Sequence, residues 1–232
     1  MKKKNNFIIV GLGLAVVIIA ILLATGTSEN DTYENFKELS EHEHQDEGYR
    51  ISSGKGNPDV MLIAIHGGGI EPGTTELAEQ SALAGGYSFY SFQGIKLTNN
   101  TELHITSTNF DEPEALDLVS DSLYTVSFHG YEDEVEKHTY VGGLDKRLSQ
   151  SIEKELKNAG FSVSDAPKEF DGKDKNNIVN KNKQEKGVQL EISTAQRKAF
   201  FEDNDFLSKN RENQTEEFDN YIEAIQNGLE GV

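Results

Sequence analysis

Apolar residues fall into three patterns along this chain. Val60 to Ile65 is a continuous run of six, bounded by Asn57-Pro58 and Gly67, as in a strand buried on both faces. In "GVQLEIS" the pattern alternates instead: Val188, Leu190 and Ile192 point one way, Gln189, Glu191 and Ser193 the other, so this strand has two distinct faces. A third pattern repeats every three to four residues. It sets Leu144, Leu148, Ile152, Leu156 and Ala159 on one helical face that stops at Gly160, and Phe218, Ile222, Ile225 and Leu229 on a terminal helix.

Between these landmarks, "TTELAEQSALAGG" reads as a helix ending at Gly85-Gly86, and "TAQRKAFF" as another. "YSFYSFQ", "ELHITST" and "SLYTVSFHG" read as strands, and "FDEPEALDLVSDS" as a loop leading into a short helix. Residues 31–49 are polar, a short charged helix and loop in which His42 and His44 sit among acids on a solvated face. Strands alternating with helices predict one α/β domain, a mixed, mostly parallel sheet flanked by helices.

The uncharged apolar run from Phe7 to Ala24, led by Lys2, Lys3 and Lys4, belongs to targeting and not to the fold. We read residues 1–30 as a signal peptide or an N-terminal membrane anchor and residues 31–232 as the domain with its C-terminal helix. The lysines keep the start cytoplasmic, which predicts an extracellular body, or one on the outer face of the membrane and held there if the segment stays uncleaved. "GLGLAV" within this run lacks the third glycine and the βαβ setting of a dinucleotide fingerprint.

Composition narrows the chemistry. The 22 Lys+Arg against 40 Asp+Glu give a net charge of −18, which argues against a nucleic-acid partner. With no cysteine there is neither disulfide nor thiolate chemistry. In α/β sheets ligands gather beyond the carboxyl ends of the strands. His66 ends one expected strand and His129 another, and Glu71 follows His66 across a flexible glycine turn. Two histidines and a glutamate are a ligand set of catalytic zinc. On spacing alone, a plain turn histidine and a helix-starting glutamate stay ahead of that reading. The "HGGG" run also suits an oxyanion hole, but no G-x-S-x-G elbow accompanies it.

Six segments in order, "HGGGIEPGT", "LHITSTNFDEP", "VSFHG", "YVGGLD", "NIVN" and "GVQLEIS", resemble the phage-type poly-γ-glutamate hydrolases, zinc enzymes related in fold to the zinc carboxypeptidases. The resemblance covers roughly residues 31–206. It implies zinc held by His66, Glu71 and His129, with Glu191 as general base, cleaving the γ-amide of a polyanionic γ-glutamyl polymer. The spacing from His66 to Glu71 is longer than the H-x-x-E of ordinary zinc carboxypeptidases, and Ile65 and Lys181 stand where the family often carries proline and arginine. A polyanionic substrate calls for local cations. Arg197, six residues after Glu191, is the first choice, aimed at the oxyanion or a carboxylate; Arg147, Lys181 and Lys183 are further candidates. His104 reads as a neighbour of the metal set or a core histidine, and His138 as a loop residue. Two other readings remain: a metallo-amidase or peptidase acting on cell-wall peptides, and a non-enzymatic surface module that binds an acidic polymer.

Overall fold

The computed structural model describes residues 31–230. The targeting reading of residues 1–30 lies outside them, and among the described residues no helix is long and apolar enough to cross a membrane.

Seven strands form one sheet: β1 (Tyr49–Gly54), β2 (Asn57–Gly68), β3 (Tyr87–Gly94), β4 (Tyr124–Tyr131), β5 (Thr139–Gly143), β6 (Val163–Asp165) and β7 (Val188–Ser193), in spatial order β1-β3-β2-β4-β7-β5-β6. The four central strands are parallel; β1 runs antiparallel to β3, and β5 antiparallel to β7. The expected α/β class and mostly parallel sheet are therefore present. The helices are α1 (Phe36–His42), α2 (Thr74–Gly85), α3 (Pro113–Asp121), α4 (Lys146–Asn158), α5 (Thr194–Ala199) and α6 (Glu216–Glu230).

Strand alternation sorts the side chains into two layers. Val60, Leu62, Ala64, Val126, Phe128, Leu190 and Ile192 pack with α2, α4 and α6 on one face. On the other face, Met61, Ile63, Ile65, Tyr90 and Phe92 pack against Leu39 of α1 and Ala115 and Val119 of α3. That second apolar layer covers only the β1-β3-β2 half of the sheet. Over β4 and β7 the same face carries Ser127, His129, Gln189 and Glu191, all buried. A polar patch buried at this cost marks the chemistry.

Four local outcomes differ from the sequence expectation. "ELHITST" is not a strand: Asn100–Leu103 is a short 3-10 turn, and the Thr106 N–H donates to Asp31 Oδ2 and not to a neighbouring strand. β1, β5 and β6 are strands that the hydrophobic pattern does not announce. All are short; β1 and β5 run antiparallel to their inner neighbours and each ends in glycine, and the three-residue β6 lies parallel to β5 at the edge.

Candidate functional site

From β2 the chain passes through α2 to β3 on one side and returns through α3 to β4 on the other. The carboxyl ends of β2 and β4 therefore flank a topological switch point, where α/β sheets open a crevice. His66 and His129 stand at those two ends.

Local geometry draws the charged groups together. Relative to β3, β2 carries an extra residue between Ala64 and Gly67, a bulge that re-aims the side chains at the strand exit. The Glu71 N–H then donates to the His66 carbonyl at 2.8 Å, closing a turn that folds the carboxylate back over the imidazole. Glycine is required here: Gly68 has φ +65°, and a Cβ on it would lie 2.5 Å from the Gly94 carbonyl oxygen.

Potential ligand atoms from three residues converge. His66 Nδ1 lies 3.0 Å from Glu71 Oε1 and 3.1 Å from His129 Nδ1, and His129 Nδ1 lies 3.6 Å from Glu71 Oε2. One partner fixes a tautomer: His66 Nε2 donates to the Ile105 carbonyl at 2.8 Å. His129 Nε2 pairs with the Ser127 hydroxyl at 2.7 Å, and both Nδ1 atoms face the cluster. Gly130 N–H donates to Glu71 Oε2 at 2.9 Å. Burial alone would raise the Glu71 pKa, but His66 and His129 outweigh it and hold the carboxyl well below its usual range. Once both Nδ1 atoms are free of protons, two lone pairs and a carboxylate oxygen crowded so closely suit a cation between them. The separations, taken to one or the other Glu71 oxygen, are short enough for all three residues to reach one small cation.

His104 is the other histidine in reach: it groups with His66 and Glu71 within 4.8 Å, and its ring lies 4.0 Å from that of His66. However, its Nδ1 is engaged at 2.6 Å by Asp31 Oδ1 and its side chain is 37% exposed. His129, whose side chain is 3% exposed and whose Nδ1 points at His66 Nδ1, makes the better third donor.

Glu191 pairs with His129 across the β4–β7 ladder. Its Oε1 accepts from Gln189 Nε2 at 2.8 Å. Burial, and after it the nearby Glu71 carboxylate, push its pKa well above the ordinary range. Arg197 is close by but turned inward. Its Nε, Nη1 and Nη2 donate to the carbonyls of Ile192, Pro72 and Tyr131, at 3.0, 3.0 and 3.4 Å, and Nη2 also reaches Thr194 Oγ1. Burial works against its charge, whereas Glu71 and Glu191 favour it.

The structure does not bring the other expected cations to this crevice. Arg147 follows Asp145, whose N–H bonds to the Gly187 carbonyl just before β7 begins. Lys183 reaches the Asp121 carbonyl and the Asp121 carboxylate, next to the start of β4. Lys181 is exposed between Asn180 and Asn182, whose side chains bond to Gly187 and Thr125. All three lie at the amino end of the central strands, opposite the cluster. Since β5 runs against β7, the helix after "YVGGLD" starts at the wrong end for substrate contact.

Residues that the sequence reading passed over line the crevice instead. Tyr140 pairs with Glu191 across β5–β7, and the rings of Tyr131, Tyr140 and Phe170 pack at 5.2–6.1 Å. Phe170 belongs to a crossing segment, residues 166–177, whose carbonyl at Phe170 accepts from Gln189 Nε2 and which exposes Lys168 just before it; beyond Phe170 the segment leaves for the amino end, where the Gly172 and Asp174 carbonyls accept from Asn180 Nδ2. His138 joins this wall, with its ring 4.4 Å from Tyr140 and Nε2 3.1 Å from Ser164 Oγ. Ser127 and Gln189 were legible in principle, since each stands two positions before a site residue on the same strand face.

Comparison with known proteins fits this geometry. The family model described as poly-gamma-glutamate hydrolase matches residues 33–224. The SPbeta prophage-derived UPF0714 protein YoqZ of Bacillus subtilis (strain 168) is 41% identical over 215 residues, 91% of this chain and 76% of its own length. A bacteriophage poly-gamma-glutamate hydrolase of known structure superposes with a TM-score of 0.85 at 44% identity, over 86% of this chain and 97% of that one. YNDL, solved in an apo, zinc-free form, superposes with a TM-score of 0.80 at 38% identity, over 86% of this chain and 98% of that one.

Proposed function

The chain belongs to the poly-gamma-glutamate hydrolase family, and from that membership we propose that it is an exported zinc enzyme that cuts the γ-glutamyl amide bonds of poly-γ-glutamate. The observation that carries this reading is the meeting of His66 Nδ1, His129 Nδ1 and Glu71 at the switch point, with Glu191 beside His129. His66, Glu71 and His129 would hold the zinc. Bound there, it would act as a Lewis acid on the amide carbonyl and its attacking water.

The chain's own residues do the rest. Glu191, fixed through Oε1 by Gln189, takes a proton from the attacking water as its oxygen bonds to the γ-carbonyl carbon. It then returns that proton to the amine as the C–N bond breaks, leaving a γ-carboxylate and a free α-amine. Its raised pKa suits both halves of that task. Arg197 works through the three carbonyls it ties together, holding the Glu71 loop against β4 and β7. The methylenes of the glutamyl units rest on Tyr131, Tyr140 and Phe170, and the exposed Lys168, two residues before Phe170, meets an α-carboxylate. Export rests on the lysine-led apolar run that precedes residues 31–232, the hydrolase domain.

The test is appearance of new amine ends from poly-γ-glutamate with the full chain. Chelation is expected to abolish cleavage and added zinc to restore it. Glu191→Gln should keep its zinc and lose about 10²–10⁴-fold in turnover. Undiminished turnover in Glu191→Gln would end this mechanism, and a preference for cell-wall peptides over the polymer would move the substrate.

A further inference from the structure

Asp31 stands at the very start of the described domain, yet both of its carboxylate oxygens are spent beside the site. Oδ1 accepts from His104 Nδ1 and Oδ2 from the Thr106 N–H, each at 2.6 Å, across 73 and 75 residues of chain. The side chain is only 10% exposed. Between those two anchored residues lies Ile105, fully buried, whose carbonyl accepts the His66 Nε2 proton at 2.8 Å. The ring of His104 lies over that of His66, tilted by 34°.

We propose that Asp31 is a positioning residue for the His66–Glu71–His129 centre, acting through the clamped segment 104–106 to hold His66 in the tautomer that leaves Nδ1 free. The inference rests on the zinc reading above. A neutral imidazole at His66 has two choices. With its proton on Nε2, it satisfies the Ile105 carbonyl and turns the Nδ1 lone pair into the cluster. With its proton on Nδ1, it donates to Glu71 Oε1, 3.0 Å away, and the nitrogen that should hold a metal is lost. What separates the two states is an acceptor held at Nε2. No regular strand or helix holds residues 104–106; the buried Ile105 side chain and single backbone bonds at His104 and Thr106 anchor the segment, and the two-oxygen grip of Asp31 sets the direction of the Ile105 carbonyl between them. Partners behind a ligand histidine commonly govern metal affinity in this way.

The experiment compares the full chain with Asp31→Ala and Asp31→Asn. Zinc affinity is read by chelator competition, and the His66 tautomer of the metal-free protein by ¹⁵N NMR of its ring nitrogens. In the unaltered protein we expect the proton on Nε2. Asp31→Ala should weaken zinc binding about 10–100-fold and move the proton towards Nδ1. Asp31→Asn, close in shape and still able to accept from Thr106, should lose less and carries the test if the alanine variant fails to fold. Unchanged zinc affinity and tautomer in both variants would overturn the inference, as would weakened zinc binding with the His66 proton still on Nε2. If the unaltered protein binds no zinc while the tautomer still follows Asp31, the metal reading fails and the clamp stands.

Discussion

Ser127 shows how much a single hydroxyl can govern. It is fully buried, and its Oγ both occupies His129 Nε2 and directs the other ring nitrogen to Glu71 and His66. Ser127→Ala leaves a buried ring nitrogen without a partner and frees the ring to turn. Chelator competition is expected to show zinc binding weakened about 10–100-fold, with the fold intact. Tyr140 is governed by contact instead. Tyr140→Ala removes the ring that faces Glu191 across the ladder, and steady-state kinetics on the polymer should show a raised KM with a smaller change in kcat. At this scale the sequence was informative wherever side chains share a strand face. Ser127 with His129, and Gln189 with Glu191, follow from alternation, whereas Asp31 beside His104 does not.

At the scale of elements, one side chain joins four of them. Arg197 starts on α5 and donates to the ends of β7 and β4 and to Pro72 in the β2–α2 turn. The chain makes room for it with Gly130, where a Cβ would stand 2.4 Å from the guanidinium carbon. Gly130→Ala therefore has to displace a fully bonded, buried Arg197. Urea unfolding should register a loss of about 1–3 kcal/mol, and activity should fall further because Glu71 loses its anchor. Arg197→Lys, which cannot reproduce a planar fork, should behave alike. Strong periodicity made β2, β4, β7, α4 and α6 legible beforehand. β5 was not, because "TYVGG" is too short for a pattern, and antiparallel insertion at β7 depends on the partner. That insertion is also what removed Arg147 from the site, by sending the following helix to the opposite end of the sheet.

The molecule as a whole carries a net charge of −18 and faces a substrate with a carboxylate on every unit. Long-range repulsion raises the cost of the encounter at low ionic strength, and salt relieves it over a screening length of about 8–10 Å. The KM for poly-γ-glutamate is expected to fall as salt rises from a few millimolar to about 0.15 M. A KM that rises instead would mean that a local cation such as Lys168 dominates the approach. The division of the second sheet face belongs to this scale too. α1 and α3 cover its β1-β3-β2 half with apolar side chains, so the polar half over β4 and β7 stays available for chemistry.

The sequence by itself determined the class of fold, the strand ends near His66 and His129, and the alternation that puts Glu191 on the polar face of its strand, because hydrophobic periodicity is a local property and strand ends follow from it; that this polar face is buried was decided by the tertiary structure. Tertiary structure alone decided which ends meet. The strand order β3-β2-β4 puts the switch point between His66 and His129, the bulge and five-residue turn of β2 bring Glu71 back to them, and Asp31 reaches the site from the far end of the domain. Each of these depends on contacts between residues far apart in the chain, which no periodicity records. Spatial proximity also decided the cations: charge is legible in a sequence, but which end of a sheet it occupies depends on the direction in which a neighbouring strand runs.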